Sequence, residues 1–203
     1  MIPDSRIAHA QYKNSIKKEF FRKSIHLCSA LIPTLIAYAY WQMLACLIIV
    51  LCIYVVSELL RMRGKQIPVI AHVTEAASRK RDENRFVLGP VTLVLGVLVT
   101  ALIWKGDAAR IGIYALAFGD GLASLAGKLF GRMTIPFTRG KTVIGSLMCF
   151  VAVFCSAYAV CKDVWITLIL ASVAMLVELM PLKDFDNLVI PVVIGALASA
   201  LLP

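Results

Sequence analysis

Apolar positions are gathered into runs near residues 27–41, 43–57, 86–104, 111–127, 143–161, 164–180 and 188–202, separated by short polar breaks. Each run approaches the roughly 20 residues that an α-helix needs to cross a bilayer. The pattern therefore predicts an all-α polytopic membrane protein with about seven transmembrane helices. Several runs are short for an upright crossing, so the polar residues at their ends are expected to be drawn about a turn into the membrane edge. Glu58 and Glu178 fall in such positions and are expected to pack between helices at the shallow edge of the hydrocarbon.

Ahead of the first run lies a polar lead. Tyr12, Ile16 and Phe20 recur there at four-residue spacing with Lys13 and Lys17 beside them, which predicts an amphipathic helix over 1–23 lying on an anionic membrane surface. A similar piece is expected at Ile67–Ala77, followed by the solvated charge cluster SRKRDENR at 78–85. Neither an internal repeat nor a low-complexity linker divides the chain, so residues 1–203 are read as one domain. Ala37-Tyr38-Ala39 resembles a signal-cleavage box, but a second apolar run follows almost at once, and the first segment is expected to be a retained helix.

Composition agrees with the pattern. The chain is 60% hydrophobic, with a mean hydropathy of +0.84, against about 45–50% apolar residues in ordinary soluble domains. The net charge of +9 is carried almost wholly by the loops on one side. With the N-terminus in the cytoplasm, 18 of the 21 Lys and Arg residues lie in cytoplasmic segments, and the opposite loops hold only Lys105, Arg110 and Lys162. That bias sets the expected orientation, with the C-terminus on the far side. In a prokaryote this would be the plasma (inner) membrane. The basic loops suit anionic headgroups or polyanionic ligands, and no nucleic-acid partner is expected. The six cysteines form no CxxC or Cys/His grouping, so they predict no metal site.

One residue resists this pattern. Asp120 stands in FGDGLASLAGKLFG, inside an apolar run, where an ionised carboxylate costs several kcal/mol. On a helix, Asp120, Ser124, Gly127, Lys128 and Gly131 fall within roughly 100° of one another. Gly119, Ala123, Gly127 and Gly131 add a four-residue spacing that lets a second helix approach closely. The eight residues from Asp120 to Lys128 place the carboxylate roughly 12 Å below the helix end at 1.5 Å per residue. Its partner must then be a group on another helix, a metal ion or a proton.

Other polar groups open onto the same expected face. They are Arg22, Lys23 and His26 in FRKSIH, Glu58 and Arg61 at the end of the second run, and Arg85 before the third. Arg132, Arg139, Lys141, Thr142 and Ser146 follow in the loop after the fourth run and the start of the fifth, and Glu178, Asp184, Asp186 and Asn187 in ELMPLKDFDN. Carboxylates that hold Mg²⁺ beside Lys and Arg that grip phosphates are the equipment of phosphoryl transfer. RGKT at 139–142 is not a P-loop, because Ile135 stands where the motif needs glycine. Taken singly, Asp186 and Asn187 also suit a helix N-terminus, and Arg22 and Lys23 suit membrane anchoring.

Together, RKSIH (22–26), FGDGLASLAGKLFGR (118–132), KTVIGS (141–146) and ELMPLKDFDNLVIP (178–191) resemble, in order, the blocks of the CTP-dependent lipid kinase family of dolichol kinase, phytol kinase and yeast-type diacylglycerol kinase. The resemblance implies transfer of the γ-phosphate of CTP, or ATP, to the hydroxyl of a membrane lipid alcohol, polyprenol-like or diacylglycerol, with Mg²⁺ as cofactor. It implies catalytic roles for Arg22, Lys23, Asp120 and Lys128. Nucleotide contacts are expected from Arg85, Ser124, Gly127, Lys128, Arg132, Lys141, Thr142 and Ser146, and metal contacts from Asp120, Glu178, Asp186 and Asn187. His26, Glu58, Arg61 and Asp184 are further candidates. Two alternatives stay open at this point, a phosphatidate cytidylyltransferase making CDP-diacylglycerol and a small transporter using Asp120 as its relay.

Overall fold

In the computed structural model, residues 5–65, 74 and 85–202 are described, with side chains in the first helix from Lys13 onward. The expected piece at Ile67–Ala77, apart from Thr74, and the charge cluster before Arg85 lie outside the described residues, as does the side chain of Tyr12. The described residues are helical almost throughout, and their one β-type pairing is an isolated bridge between Thr134 and Thr142.

Helix α1 (Ser5–Cys28) runs unbroken through residue 23, so the polar lead and the start of the first expected span form one element. The expected first span is interrupted instead at Ser29–Leu31, a 3-10 turn, before α2 (Ile32–Tyr38). Pro33 supplies the reason. It has no N–H to give the carbonyl of Ser29 and its ring crowds that group, so Ile32 N–H bonds Ser29 O in the tighter i→i+3 pattern.

α3 (Tyr40–Met62) extends well past the apolar run 43–57, because Glu58 and Arg61 neutralise each other one turn apart. Then come α4 (Gly89–Ile103), α5 (Gly106–Tyr114), a π-helical segment (Ala115–Asp120) and α6 (Gly121–Phe130). α7 (Val143–Cys161), α8 (Val164–Leu179) and α9 (Asp186–Leu201) complete the bundle. Four described stretches are long and apolar enough to cross a membrane alone: Tyr40–Met62, Gly106–Phe130, Val143–Cys161 and Lys183–Leu201. α4 and α8 are apolar but shorter.

Thr142 and Asp163 accept from Gly145 N and Ile166 N, capping α7 and α8. Lys162, at φ 57°, closes the end of α7 in the left-handed conformation. α8 stops at Met180, which Pro181 holds extended.

Outward faces are apolar, with Ile49, Ile53 and Val56 on α3, Leu147 on α7 and Trp165 on α8 all exposed. Inward faces are built from small residues, among them Ala115, Ala123, Ala157, Ala171, Ala174 and Ala198. Lipid tails are as apolar as leucine, so helices in a bilayer associate through close packing rather than through burial from water. Gly96 marks the tightest approach. A Cβ there would sit 2.2 Å from the carbonyl oxygen of Asn187, the acceptor that Pro191 leaves without its helical donor.

Candidate active site

The stripe anticipated around Asp120 meets α1. Lys23 Nζ donates to Asp120 Oδ2, and both side chains are buried. His26 Nδ1, one turn further along α1, lies 3.1 Å from the same oxygen, yet is out of line for a hydrogen bond and has no other partner. The open question of what neutralises the carboxylate is thus answered by a cation from a neighbouring helix. Asp120 is the last residue of the π-helical segment, a distortion often found at functional positions. No signal in the sequence announces that π turn.

A cavity of about 390 Å³ opens beside the pair, at the end of the bundle where α6 and α8 finish and α7 and α9 begin. Asp120, Ser124, Gly127 and Lys128 line it from the π segment and α6, and Arg22 from α1. Lys141 and Thr142 contribute from the loop before α7, and Glu178 and Asp186 from the last two helices. Of the expected stripe, only Gly131 is absent from the wall.

The loop holding Lys141 is a tight hairpin. Ile135 N donates to Lys141 O at 2.8 Å and Val143 N to Met133 O at 3.1 Å. Arg139 and Gly140 turn through positive φ (59° and 89°) and reach the cavity wall. Arg139 and Lys183 join Arg22, Lys128 and Lys141 as cationic lining, opposed by Glu19, Asp120, Glu178 and Asp186. Sequence reasoning gave Glu19 and Lys183 no place in the site. The i, i+3 and i, i+4 spacings from Glu19 to Arg22 and Lys23 were the available signal.

Several cations are held by carboxylates or backbone. Arg22 Nη2 pairs with Glu19, while its Nε is buried without a partner. Lys128 Nζ donates to Ser15 O at 2.8 Å and lies 3.7 Å from Glu19 Oε2, tying α6 to α1. Lys141 Nζ is 3.1 Å from Glu178 Oε1, and Ser146 Oγ donates to Glu178 Oε2 at 3.3 Å. Ser146 therefore stands behind the wall, holding Glu178.

Other candidates are placed elsewhere. Arg132 is exposed and does not line the cavity. Asn187 Nδ2 donates to Gly89 O and Thr92 Oγ1, fastening α9 to α4, and the side chain faces a second cavity together with Asp184. Glu58 accepts two bonds from Arg61 and one from Val87 N–H, while Arg61 also donates to Arg85 O. Glu58, Arg61 and the Arg85 backbone thus form a bolt that fixes the segment leading into α4. Among the described residues, no three His, Cys, Asp or Glu side chains converge as a preformed metal cage.

The second cavity, about 200 Å³, is mostly apolar and lies between α1, α3 and α4. It shares Arg22 and Asp186 with the first and takes Lys23 and His26 into its own wall.

Comparison with known proteins found relatives over part of the chain. Probable phytol kinase 1 of Oryza sativa subsp. japonica is 29% identical over 139 residues, covering 59% of this chain and 44% of the relative. CTP-dependent diacylglycerol kinase 1 of Eremothecium gossypii is 30% identical over 79 residues, covering 39% and 25%. Farnesol kinase of Arabidopsis thaliana is 29% identical over 75 residues, covering 36% and 24%. Each of these matches spans less than half the length of the relative. No protein-family model matches the chain, and no solved structure does. Over part of its length the chain is thus similar to kinases of lipid alcohols, named for phytol, farnesol and, with CTP, diacylglycerol.

Proposed function

We propose that this protein transfers the γ-phosphate of CTP to the hydroxyl of a membrane lipid alcohol, at the end of the bundle that faces the cytoplasm. The observation that carries the assignment is the cation-rich cavity built around the buried Lys23–Asp120 pair. Phosphoryl transfer asks a protein chiefly to position its reactants and to neutralise charge on the transferring group. Arg22, Lys128, Arg139, Lys141 and Lys183 can do this for a triphosphate, and the volume falls within the range of small-molecule sites, about 300–1,000 Å³. Arg22 Nε is a buried donor in need of an acceptor, which a phosphate oxygen would supply.

The alcohol oxygen forms a bond to the γ-phosphorus as the bond to the β,γ-bridging oxygen breaks. The nucleoside diphosphate leaves with that electron pair, and the hydroxyl proton passes to solvent, since a loose phosphoryl transition state asks for little activation of the nucleophile. Mg²⁺ fits the donor set in one way. It keeps several waters and needs only one or two carboxylates besides phosphate oxygens, so Asp120 and Asp186, both on the cavity wall, would suffice without a closed cage. When bound, such an ion neutralises phosphate charge. CTP is preferred over ATP because one relative carries CTP dependence in its name, and the cytoplasmic assignment follows the basic loops.

The experiment is a competition of CTP against ATP with purified protein and a panel of lipid alcohols. Phosphorylated lipid formed preferentially from CTP supports the assignment. No phosphorylated lipid from either nucleotide would refute it.

A further inference from the structure

Behind the Lys23–Asp120 pair, the smaller cavity has a composition opposite to that of the larger one. Ile25, Leu51, Tyr54, Val87, Leu93 and Val94 form its apolar wall, and its polar groups are gathered on the segments that also border the phosphate cavity. Val50 lines it while half exposed, and on the same helix Ile49 and Ile53 continue outward as bare apolar surface. Its mouth therefore opens toward lipid. At the polar end His26, almost fully buried, holds a ring nitrogen without a hydrogen-bond partner.

We propose that this cavity is the acceptor subsite, and that it takes a lipid alcohol with a single chain, its hydroxyl at the Lys23–His26 wall and its tail leaving between α1 and α3. The inference rests on the lipid kinase reading and goes beyond it by placing the acceptor and limiting its shape. Arg22 and Asp186 border both cavities, so a hydroxyl at the polar end of one lies across these shared side chains from a γ-phosphate in the other. Lys23 and His26 on its wall give the cavity the polar end that an alcohol hydroxyl needs. At about 200 Å³ the space lies below the range of about 300–1,000 Å³ usual for small-molecule sites, room for a head group and the first carbons of one chain.

The test is photolabelling, which needs no turnover. A long-chain primary alcohol with a diazirine a few carbons from the hydroxyl is bound to the full-length protein in nanodiscs, and the labelled peptides are mapped. Label is expected on residues 50–54 and 87–94. Leu51→Phe and Val94→Phe, which narrow the cavity from opposite walls, should each cut that label about tenfold, the scale of a misfit in an apolar pocket. A single-chain alcohol should displace the probe at least about tenfold better than diacylglycerol. Label elsewhere, or label undiminished in both filled variants, overturns the subsite. Equal displacement by diacylglycerol overturns the single-chain limit. Label at this cavity in a protein that phosphorylates no alcohol would refute the kinase reading and leave the subsite standing.

Discussion

Replacing Lys23 with Met leaves Asp120 as a carboxylate about 3% exposed with no ammonium against it. Stranding one partner of a buried ion pair costs about 3–5 kcal/mol, whereas replacing both partners by apolar groups is often neutral. His26 Nδ1, 3.1 Å from Asp120 Oδ2, can recover part of the loss by turning into line, so the expected cost is about 3 kcal/mol. For a chain of this size, each kcal/mol shifts the melting temperature by about 2–4 °C, so Lys23→Met should melt roughly 6–12 °C below wild type. Asp120→Leu alone strands the ammonium and should cost a similar amount. The double variant Lys23→Met/Asp120→Leu should return to within a few degrees of wild type, and should still transfer no phosphate. Thermal unfolding of the four proteins in one detergent closes the cycle. Additive losses, with the double variant the least stable of the four, would refute the pairing that organises the site.

Asp120→Asn keeps shape and membrane insertion and should lower phosphate transfer at least about 100-fold, on the scale of losing one charge-positioning group at a transferring phosphate; undiminished turnover would remove Asp120 from the mechanism. Chelation by EDTA should abolish transfer and added Mg²⁺ restore it, read as labelled lipid. Glu58→Ala leaves the buried Val87 N–H without its acceptor, while the part-exposed Arg61 keeps Arg85 O, and should lower stability by about 1–3 kcal/mol while leaving the KM for nucleotide unchanged. Gly96→Ala drives a methyl into the carbonyl of Asn187 and should destabilise by about 1–3 kcal/mol, whereas Gly89→Ala, with nothing within 4 Å of the added carbon, should be close to neutral.

Much of this was legible in the chain because a bilayer constrains sequence strongly. The apolar runs located the helices, and the polar stripe from Asp120 to Lys128 correctly fell on one wall. Asp120 itself was conspicuous for the cost of burying it. Its partner was not, since Lys23 lies 97 residues away and a basic residue at a membrane edge reads equally well as an anchor. Glu58 and Arg61 were expected at the end of the second run and do close α3, with Glu58 buried; their mutual pairing is what carries that helix past its apolar run. Asn187 also fastens α9 to α4 through its amide N–H groups, a tertiary contact that no local pattern encodes. The apolar acceptor cavity was hidden for a similar reason. Leu51, Tyr54 and Leu93 look like any other membrane-helix residues until three helices are set around them.

The most direct test of the central claim follows the fate of two labels on CTP, one in the α- and one in the γ-phosphate, with purified protein and a single-chain lipid alcohol in nanodiscs. The γ-label should move into the lipid while the α-label stays in the nucleoside diphosphate. An α-label recovered in lipid with the γ-label released as pyrophosphate, or neither label in lipid, would contradict it.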